Sequence, residues 1–218
     1  ELGEFLARPD LLTVTKTNQR STVHRSAYMD AIGIKKIDAA GRVVGHRLFI
    51  GLFTSIAYNL SPRNIPLLRR RLQNIIERAG FARESHDGKA LINIVESYPR
   101  DELFQIDEDK LFDTALGILR LQERQQVALF VREDPFKRYM SSLVYVPRER
   151  YNTYLRQDIQ EILARGFGGQ PSAFFTQLGD SPLARVHLIT KLMGAGIPKY
   201  DVNAMQAEIA EASRSWSD

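Results

Sequence analysis

Residues 127–166 read VALFVREDPFKRYMSSLVYVPRERYNTYLRQDIQEILARG, and this stretch decides the fold class of the chain. Two runs within it, 127–131 and 142–146, are rich in β-branched and aromatic residues, which is typical of strands. Residues 152–165 carry apolar side chains at helical spacing, and Gly166 stands where that helix should end. Two strands followed by a helix indicate an antiparallel sheet with a helix packed against one face.

The same order of elements recurs further along the chain. Residues 173–178 and 183–190 predict two more strands, and Gly179-Asp180-Ser181-Pro182 between them supplies the residues of a turn. A last helix is predicted after Asp201, where apolar residues again recur at helical spacing. The order ββαββα predicts a two-layer, ferredoxin-like sandwich for residues 126–218, with its helices on one face of the sheet.

Strands also predominate in residues 1–60. A short strand is predicted at 11–15, and two longer strands are predicted at 27–37 and 43–53. The loop between the two longer strands, 38–42, contains a glycine that is available for positive φ. We therefore predict a long antiparallel β-hairpin in this part of the chain.

Residues 61–125 have a helical pattern. Apolar stripes predict three helices, the first ending at Gly80, the second ending at Pro99 and the third beginning at the acidic residues 107–109. Arg69, Arg70 and Arg71 are expected to project from the solvent side of the first helix. The chain is thus predicted to be α+β, with a β-rich segment at 1–60, a helical connector at 61–125 that packs on the hairpin, and the sandwich at 126–218.

The overall composition is that of a globular protein, with 44% hydrophobic and 26% charged residues. No apolar run approaches the roughly 20 residues that cross a bilayer, and the N-terminus lacks the pattern of a signal peptide. We therefore expect a cytoplasmic chain with no membrane partner. Because the chain begins at Glu1 without methionine and stops at Asp218 just after a helical pattern, both ends are expected to be boundaries inside a longer polypeptide.

Cysteine is absent, which excludes disulfides, metal sites built on thiolates and cysteine nucleophiles. No two of the four histidines have the spacing of metal ligands on a helix, so no metal site is expected. His187 lies in the middle of a predicted strand beside Arg185, and we expect it to be exposed or ion-paired rather than catalytic.

Sequence motifs of common catalytic sites are missing. There is no GxxxxGK[ST] loop, no GxSxG elbow and no complete GxGxxG, because Ile197-Pro198 follows Gly194-Ala195-Gly196. The acidic residues 107–109 are better explained by the start of a helix, since adjacent residues on a helix do not face one another. We predict no catalytic residue and no bound cofactor in this chain.

Several segments resemble the N-terminal half of the large bacterial NAD-specific glutamate dehydrogenases. They are GIKKID at 33–38, GRVVG at 41–45, LFTS at 52–55, YPRDELFQ at 98–105, YVPRERYN at 145–152 and SPLARVH at 181–187. The resemblance implies that residues 1–60 end a PAS-like module and that residues 126–218 form an ACT-like domain. It also implies that the catalytic lysine and the NAD site of the parent enzyme, which oxidatively deaminates L-glutamate to 2-oxoglutarate, lie outside this chain.

The function implied by this resemblance is regulatory and architectural. ACT-like domains commonly pair through their sheets and bind small amino acids, so we expect self-association, contacts with the rest of the parent chain and an amino-acid effector. The candidate ligand-binding residues are Arg148, Arg150, Asn152, Gly179, Asp180 and Ser181. The guanidinium groups match a carboxylate, and the start of the helix at Asn152 adds N–H donors.

An alternative reading assigns these residues a structural role. The two arginines would then form ion pairs within an oligomer, and Asn152 would only cap its helix. The chain lacks the glycine-rich turn between first strand and helix that ligand-binding ACT domains often have.

A second alternative is an RNA-binding module, because the chain has a net charge of +4 and a predicted four-stranded sheet. Such sheets stack bases on aromatic side chains that share one face. Phe174 and Phe175 are adjacent and must point to opposite faces of a strand, which disfavours a nucleic-acid partner.

Overall fold

Three antiparallel strands come first in the described part of the chain, which comprises residues 10–24, 26–179, 181–194 and 196–214 of the computed structural model. They are β1 (Leu12–Arg20), β2 (Tyr28–Ile37) and β3 (Val43–Gly51), in the spatial order β1–β2–β3. Strands β2 and β3 confirm the predicted hairpin. The carboxylate of Asp38 holds its turn by accepting hydrogen bonds from the N–H groups of Ala40 (3.0 Å) and Arg42 (2.9 Å).

Helices follow these strands in the order α1 (Ser55–Asn59), α2 (Pro66–Ala79), α3 (His86–Glu96), α4 (Arg100–Gln105) and α5 (Glu108–Glu123). Helices α2, α3 and α5 lie where the apolar stripes predicted them. Gly80 ends α2 in the left-handed conformation, with a φ of 70°, which a residue without Cβ adopts at little cost.

The described residues form two compact units, one up to Phe112 and one from Asp113 onward. In the first unit, α4 is held on the sheet by an aromatic stack and by ion pairs. The rings of Phe53 and Phe104 stack with 4.5 Å between centroids. The ammonium group of Lys16 lies 2.6 Å from the carboxylate of Asp30 and 3.1 Å from that of Asp101.

The position of Arg71 corrects one expectation for the first unit. Its side chain does not project into solvent, because its guanidinium group donates hydrogen bonds to the carbonyls of Leu103 (2.8 Å) and Phe104 (3.3 Å) at the end of α4. Those carbonyls have no partner within their own helix, and a long basic side chain reaches them across the surface of α2.

The second unit has the predicted ββαββα order. It comprises β4 (Ala128–Glu133), β5 (Tyr139–Pro147), α6 (Thr153–Phe167), β6 (Gly169–Gln177), β7 (Leu183–Leu192) and α7 (Val202–Ala212). The four strands are antiparallel in the order β4–β5–β7–β6. The core of this unit lies between the sheet and helices α6 and α7, where Val144, Val186, Ile159 and Ile209 are each fully buried. The α+β fold with an ACT-like sandwich is confirmed.

Two details of the second unit differ from the prediction. Helix α6 ends at Gly168, whose φ is 63°, rather than at Gly166. His187 is buried rather than exposed, and its Nε2 lies 2.9 Å from the hydroxyl of Ser141.

The open face of the sheet is covered in part, which the sequence pattern did not predict. Gly117 of α5 lies so close to Phe130 of β4 that an added Cβ would come within 2.5 Å of the ring. Helices therefore lie on both faces of the sheet, and residues on its second face, including Leu143 and Tyr145, are buried.

Candidate functional site

The loop after β5 holds three of the six predicted ligand-binding residues. It forms a short 3-10 turn at Arg148–Arg150 and leads into α6 through Asn152. The side-chain oxygen of Asn152 accepts a hydrogen bond from the N–H of Leu155 at 2.9 Å, so this residue caps the helix. The side chain of Arg150 is half-buried and makes no hydrogen bond or ion pair within the described residues.

The other three predicted ligand-binding residues belong to the turn between β6 and β7. This turn contacts the loop after β5. The guanidinium group of Arg148 donates to the carbonyl of Gly179 at 2.6 Å, and the Arg148 N–H donates to the carbonyl of Pro182 at 2.8 Å. The hydroxyl of Ser181 accepts from the N–H of Leu183 at 3.1 Å. Asp180, which was also predicted, lies outside the described residues.

A contact that the sequence did not suggest lies beside these two segments. The hydroxyls of Tyr151 and Thr176 are 2.6 Å apart, which links the loop after β5 to strand β6. Neither residue belongs to a recognisable motif, so only the register of β6 could have identified the pair. Together with Arg148 and Gly179, this pair fixes one end of the sheet. The guanidinium group of Arg148 has further N–H groups besides the one that donates to Gly179, and such groups can bind a carboxylate.

An ion pair with a buried carboxylate has a structural role in the same unit. Asp134, which is 1% exposed, accepts hydrogen bonds from the Nε (2.7 Å) and Nη2 (3.0 Å) of Arg138 in the turn between β4 and β5. This bidentate pair joins residues of one turn and leaves the carboxylate no free access to solvent. It stabilises the hairpin, and nothing in its geometry indicates proton transfer.

The buried charges of the first unit also link elements. Burial lowers the pKa of Lys16, but Asp101 and Asp30 raise it more, so the pKa lies above the ordinary value. Burial raises the pKa of Asp30, and this effect outweighs the lowering by Lys16 and by the N–H of Phe53. The hydroxyl of Tyr58 donates to Asp101 at 2.7 Å, which connects α1 to the same network.

A cavity of about 580 Å³ lies between helices α2 and α3 of the first unit. Its walls are one face of each helix together with the turn before α2 and the loop after it. No sequence motif predicted this cavity, and of the run of three arginines at 69–71 only Arg69 lines it. None of the predicted ligand-binding residues borders it.

Strands β3 and β6 each expose large apolar side chains. In β3, Val43, Val44, Leu48, Phe49 and Ile50 are between 43% and 63% exposed, on both faces of an edge strand. In β6, which is an edge strand of the four-stranded sheet, Phe174 is 45% and Phe175 is 60% exposed. As predicted, the two phenylalanines point to opposite faces, since Phe174 lies against the guanidinium group of Arg156 and Phe175 against His187.

Within the residues that the structure describes, no three histidine, aspartate or glutamate side chains are grouped so that they could hold a metal ion. Among those residues, no helix combines the length and the apolarity that crossing a bilayer requires.

Two segments of the chain match family models of known proteins. Residues 65–124 match the family model described as glutamate dehydrogenase, helical motif 1, and residues 128–217 match the glutamate dehydrogenase ACT2 domain. The NAD-specific glutamate dehydrogenase of Halomonas elongata is 42% identical over the whole chain, and that of Pseudomonas aeruginosa is 40% identical over 98% of it. The protein of the same name from Mycobacterium tuberculosis is 33% identical over 95% of the chain.

These relatives are much longer than this chain. It spans 14% of the Halomonas protein and 13% of each of the other two. The resemblance noted from short motifs is therefore confirmed over the length of the chain, and it concerns a limited, N-terminal part of the relatives.

Proposed function

Because this chain corresponds throughout its length to a segment of the large NAD-specific glutamate dehydrogenases, we propose that it is a non-catalytic regulatory and oligomerisation segment of such an enzyme. The parent polypeptide would oxidatively deaminate L-glutamate to 2-oxoglutarate with NAD in the cytoplasm, and residues outside this chain would carry the catalytic lysine and bind the NAD. The observation that carries this proposal is the match of two glutamate dehydrogenase segments, in chain order, to the helices and to the sandwich.

The first 60 residues are proposed to be the end of a larger PAS-like module. The exposed apolar side chains of β3 support this, because an uncovered apolar edge strand is a template for unwanted pairing and is ordinarily shielded. Further strands of the parent polypeptide would pair with β3 and cover it. The helices at 61–125 would then connect this module to the ACT-like sandwich at 126–218.

Self-association is proposed to occur through the ACT-like sheet. Strand β6 is an edge of this sheet, so the backbone groups on its outer side have no neighbouring strand within the described residues. Phe174 and Phe175 add exposed apolar area on either face of that edge. A second copy of the chain at β6, related by a twofold axis, would continue the sheet and bury both rings. Twofold symmetry is the commonest symmetry of homo-oligomers.

An amino-acid effector is proposed to bind where the loop after β5 meets the turn after β6. Arg150 supports this, because the residue is half-buried and its side chain has no hydrogen-bond or ion-pair partner among the described residues, while Arg148, two positions earlier, retains further N–H donors. The effector would act by binding two arrangements of the oligomer with different affinity.

Calorimetry of the folded chain with a panel of amino acids tests the effector. Binding heat from at least one amino acid is expected, and Arg150→Ala should reduce the affinity by about 10-fold or more. Arg165→Ala, which changes an exposed arginine on α6, is the control and should bind as the unmodified chain does. Absence of heat from every amino acid would leave only the architectural part of the proposal.

A further inference from the structure

The walls of the cavity between α2 and α3 follow helical spacing. Helix α2 contributes Arg69, Leu72 and Ile76, and α3 contributes Lys89 and Ile92. Positions three, four and seven apart lie on one face of a helix, so each wall is a single stripe. Between Arg69 and Ile76 the groove is about 10 Å long, at about 1.5 Å per residue, which corresponds to two helical turns.

The floor of this groove contains an apolar strip formed by Leu72, Ile76 and Ile92, with the polar side chains of Gln73 and Asn93 beside it. Leu72 is 4% and Ile76 is 7% exposed, and Ile92 is half-buried beside them. An open groove with an apolar strip along it fits the apolar stripe of a third helix, since helices pack by placing the side chains of one into the spaces of another.

The rim of the groove is positively charged. Of its six charged residues four are basic and two are acidic, which leaves an excess of two positive charges. Arg63 is ion-paired with Glu96, and Lys89 with Glu84 at 3.2 Å, the latter pair being largely exposed and hence weak. Arg69 and Arg83 are exposed, and their side chains form no hydrogen bond or ion pair within the described residues.

The two unpaired arginines lie at opposite ends of the groove. Arg69 is in the first turn of α2, and Arg83 is in the loop that joins the end of α2 to the start of α3. A ligand that neutralises both must therefore carry negative charge at both ends of an apolar stretch about two helical turns long. This requirement describes an amphipathic helix with apolar residues at i, i+3 and i+4 and with acidic residues flanking them.

We infer that the groove between α2 and α3 is the docking site of an acidic amphipathic helix from another part of the parent polypeptide, an inference that rests on the proposed parentage. The helix places its apolar stripe on Leu72, Ile76 and Ile92, and its carboxylates pair with Arg69 and Arg83. Docking in this way connects the helical layer to the rest of the enzyme.

The test measures binding of a fluorescent, alanine-based helical peptide of about 16 residues, with leucines at i, i+3, i+4 and i+7 and glutamates on either side of them. Fluorescence anisotropy should show saturable binding to this chain that weakens as salt is raised. The double variant Arg69→Glu, Arg83→Glu should weaken binding by about 10-fold or more. The control Arg70→Glu changes a neighbouring exposed arginine outside the groove and should alter affinity by less than about twofold.

Several outcomes would overturn the inference. They are no binding up to about 1 mM peptide, equal binding of a peptide in which lysine replaces glutamate, or equal weakening by Arg70→Glu. If citrate displaced the peptide completely, with an affinity close to that of the peptide, the groove would instead be assigned to a small anion. Circular dichroism of each variant establishes that it is folded. Failure of this test would leave the parentage intact, since the parentage is tested by the activity of the full-length enzyme.

Discussion

Gly166 lies inside α6, and the thioether of Met205 on α7 occupies the space where a Cβ would project. An added Cβ would come within 2.3 Å of the Met205 sulfur, so the side chain of Met205 would have to move to make room for it. The glycine therefore has a packing role, whereas the left-handed turn that ends α6 belongs to Gly168. Sequence pattern alone does not distinguish these two roles, because both require glycine near the end of a helix.

We predict that Gly166→Ala destabilises the second unit despite the better helix propensity of alanine. Overpacking against Met205 should cost about 1–3 kcal/mol, against a gain of roughly 1 kcal/mol from propensity. Urea unfolding measures the free energy of unfolding of each variant. For the double variant Gly166→Ala, Met205→Ala, this free energy should be about 1 kcal/mol higher than the value obtained by adding the effects of the two single substitutions. Additive effects of the two substitutions would show that the close contact is not what requires glycine.

The phenol of Tyr200 is predicted to lose its proton at a higher pH than an ordinary tyrosine. Burial raises its pKa, and the hydrogen bond to Glu133 (2.7 Å) raises it further, to about 12. Because the folded pKa lies above the unfolded one, the contribution of this group to stability is fully present below about pH 10 and is lost as the pH rises through about 12.

Absorbance at the tyrosinate band measures this titration. The component near pH 12 should disappear in Tyr200→Phe and move to lower pH in Glu133→Gln. Tyr28→Phe, which removes a tyrosine on β2 of the first unit, serves as the control. Titration of Tyr200 at an ordinary pH in the intact chain would contradict the assigned hydrogen bond.

Some residue roles could be read from the sequence and others could not. Asn152 was predicted either to bind ligand or to cap α6, and its capping hydrogen bond follows from local chain geometry alone. His187 is buried with its ring against Ser141 of β5 and Phe175 of β6, and the strand pattern around it carries no sign of these contacts. The role of Arg71 likewise depends on α4, whose end it caps.

At the scale of elements, the periodic segments were the predictable ones. The hairpin β2–β3, the helices α2, α3 and α5, and the order ββαββα follow from alternation, apolar stripes and turn residues. Helices α1 and α4 were missed because five or six residues do not complete two helical turns. Strand β1 was predicted too short because polar residues occupy its second half, where pairing with β2 rather than composition decides its length.

Strand β6 is predicted to mediate self-association of the sandwich. Phe175→Asp places a charge on the edge that is proposed to be buried, so the chain should shift to monomer in light scattering, with an association constant lower by about 100-fold or more. Tyr154→Asp, an equally exposed aromatic position on α6, is the matched control and should leave the molar mass unchanged. If the molar mass of Phe175→Asp were unchanged, self-association through β6 would be contradicted, and another surface such as β3 would have to form the contact.

At the scale of the whole molecule, the fold and the function could not be predicted from the sequence equally well. The α+β class follows from elements that each have a local signal, whereas the parentage rests on strings such as 98–105 and 145–152 that have no chemical motif in them. Helix α4 and the turn before α6 lie in these two strings, and both make contacts that position neighbouring elements. These two segments therefore take part in contacts that join neighbouring elements of the fold.

Expression of the complete reading frame, followed by an assay of glutamate-dependent NAD reduction, tests the central claim most directly. The full-length protein should reduce NAD in the presence of L-glutamate, while this chain alone, shown to be folded by circular dichroism, should give the same rate as buffer. Glutamate-dependent reduction of NAD by this chain alone would contradict the account, and so would a full-length protein that is folded but inactive with glutamate.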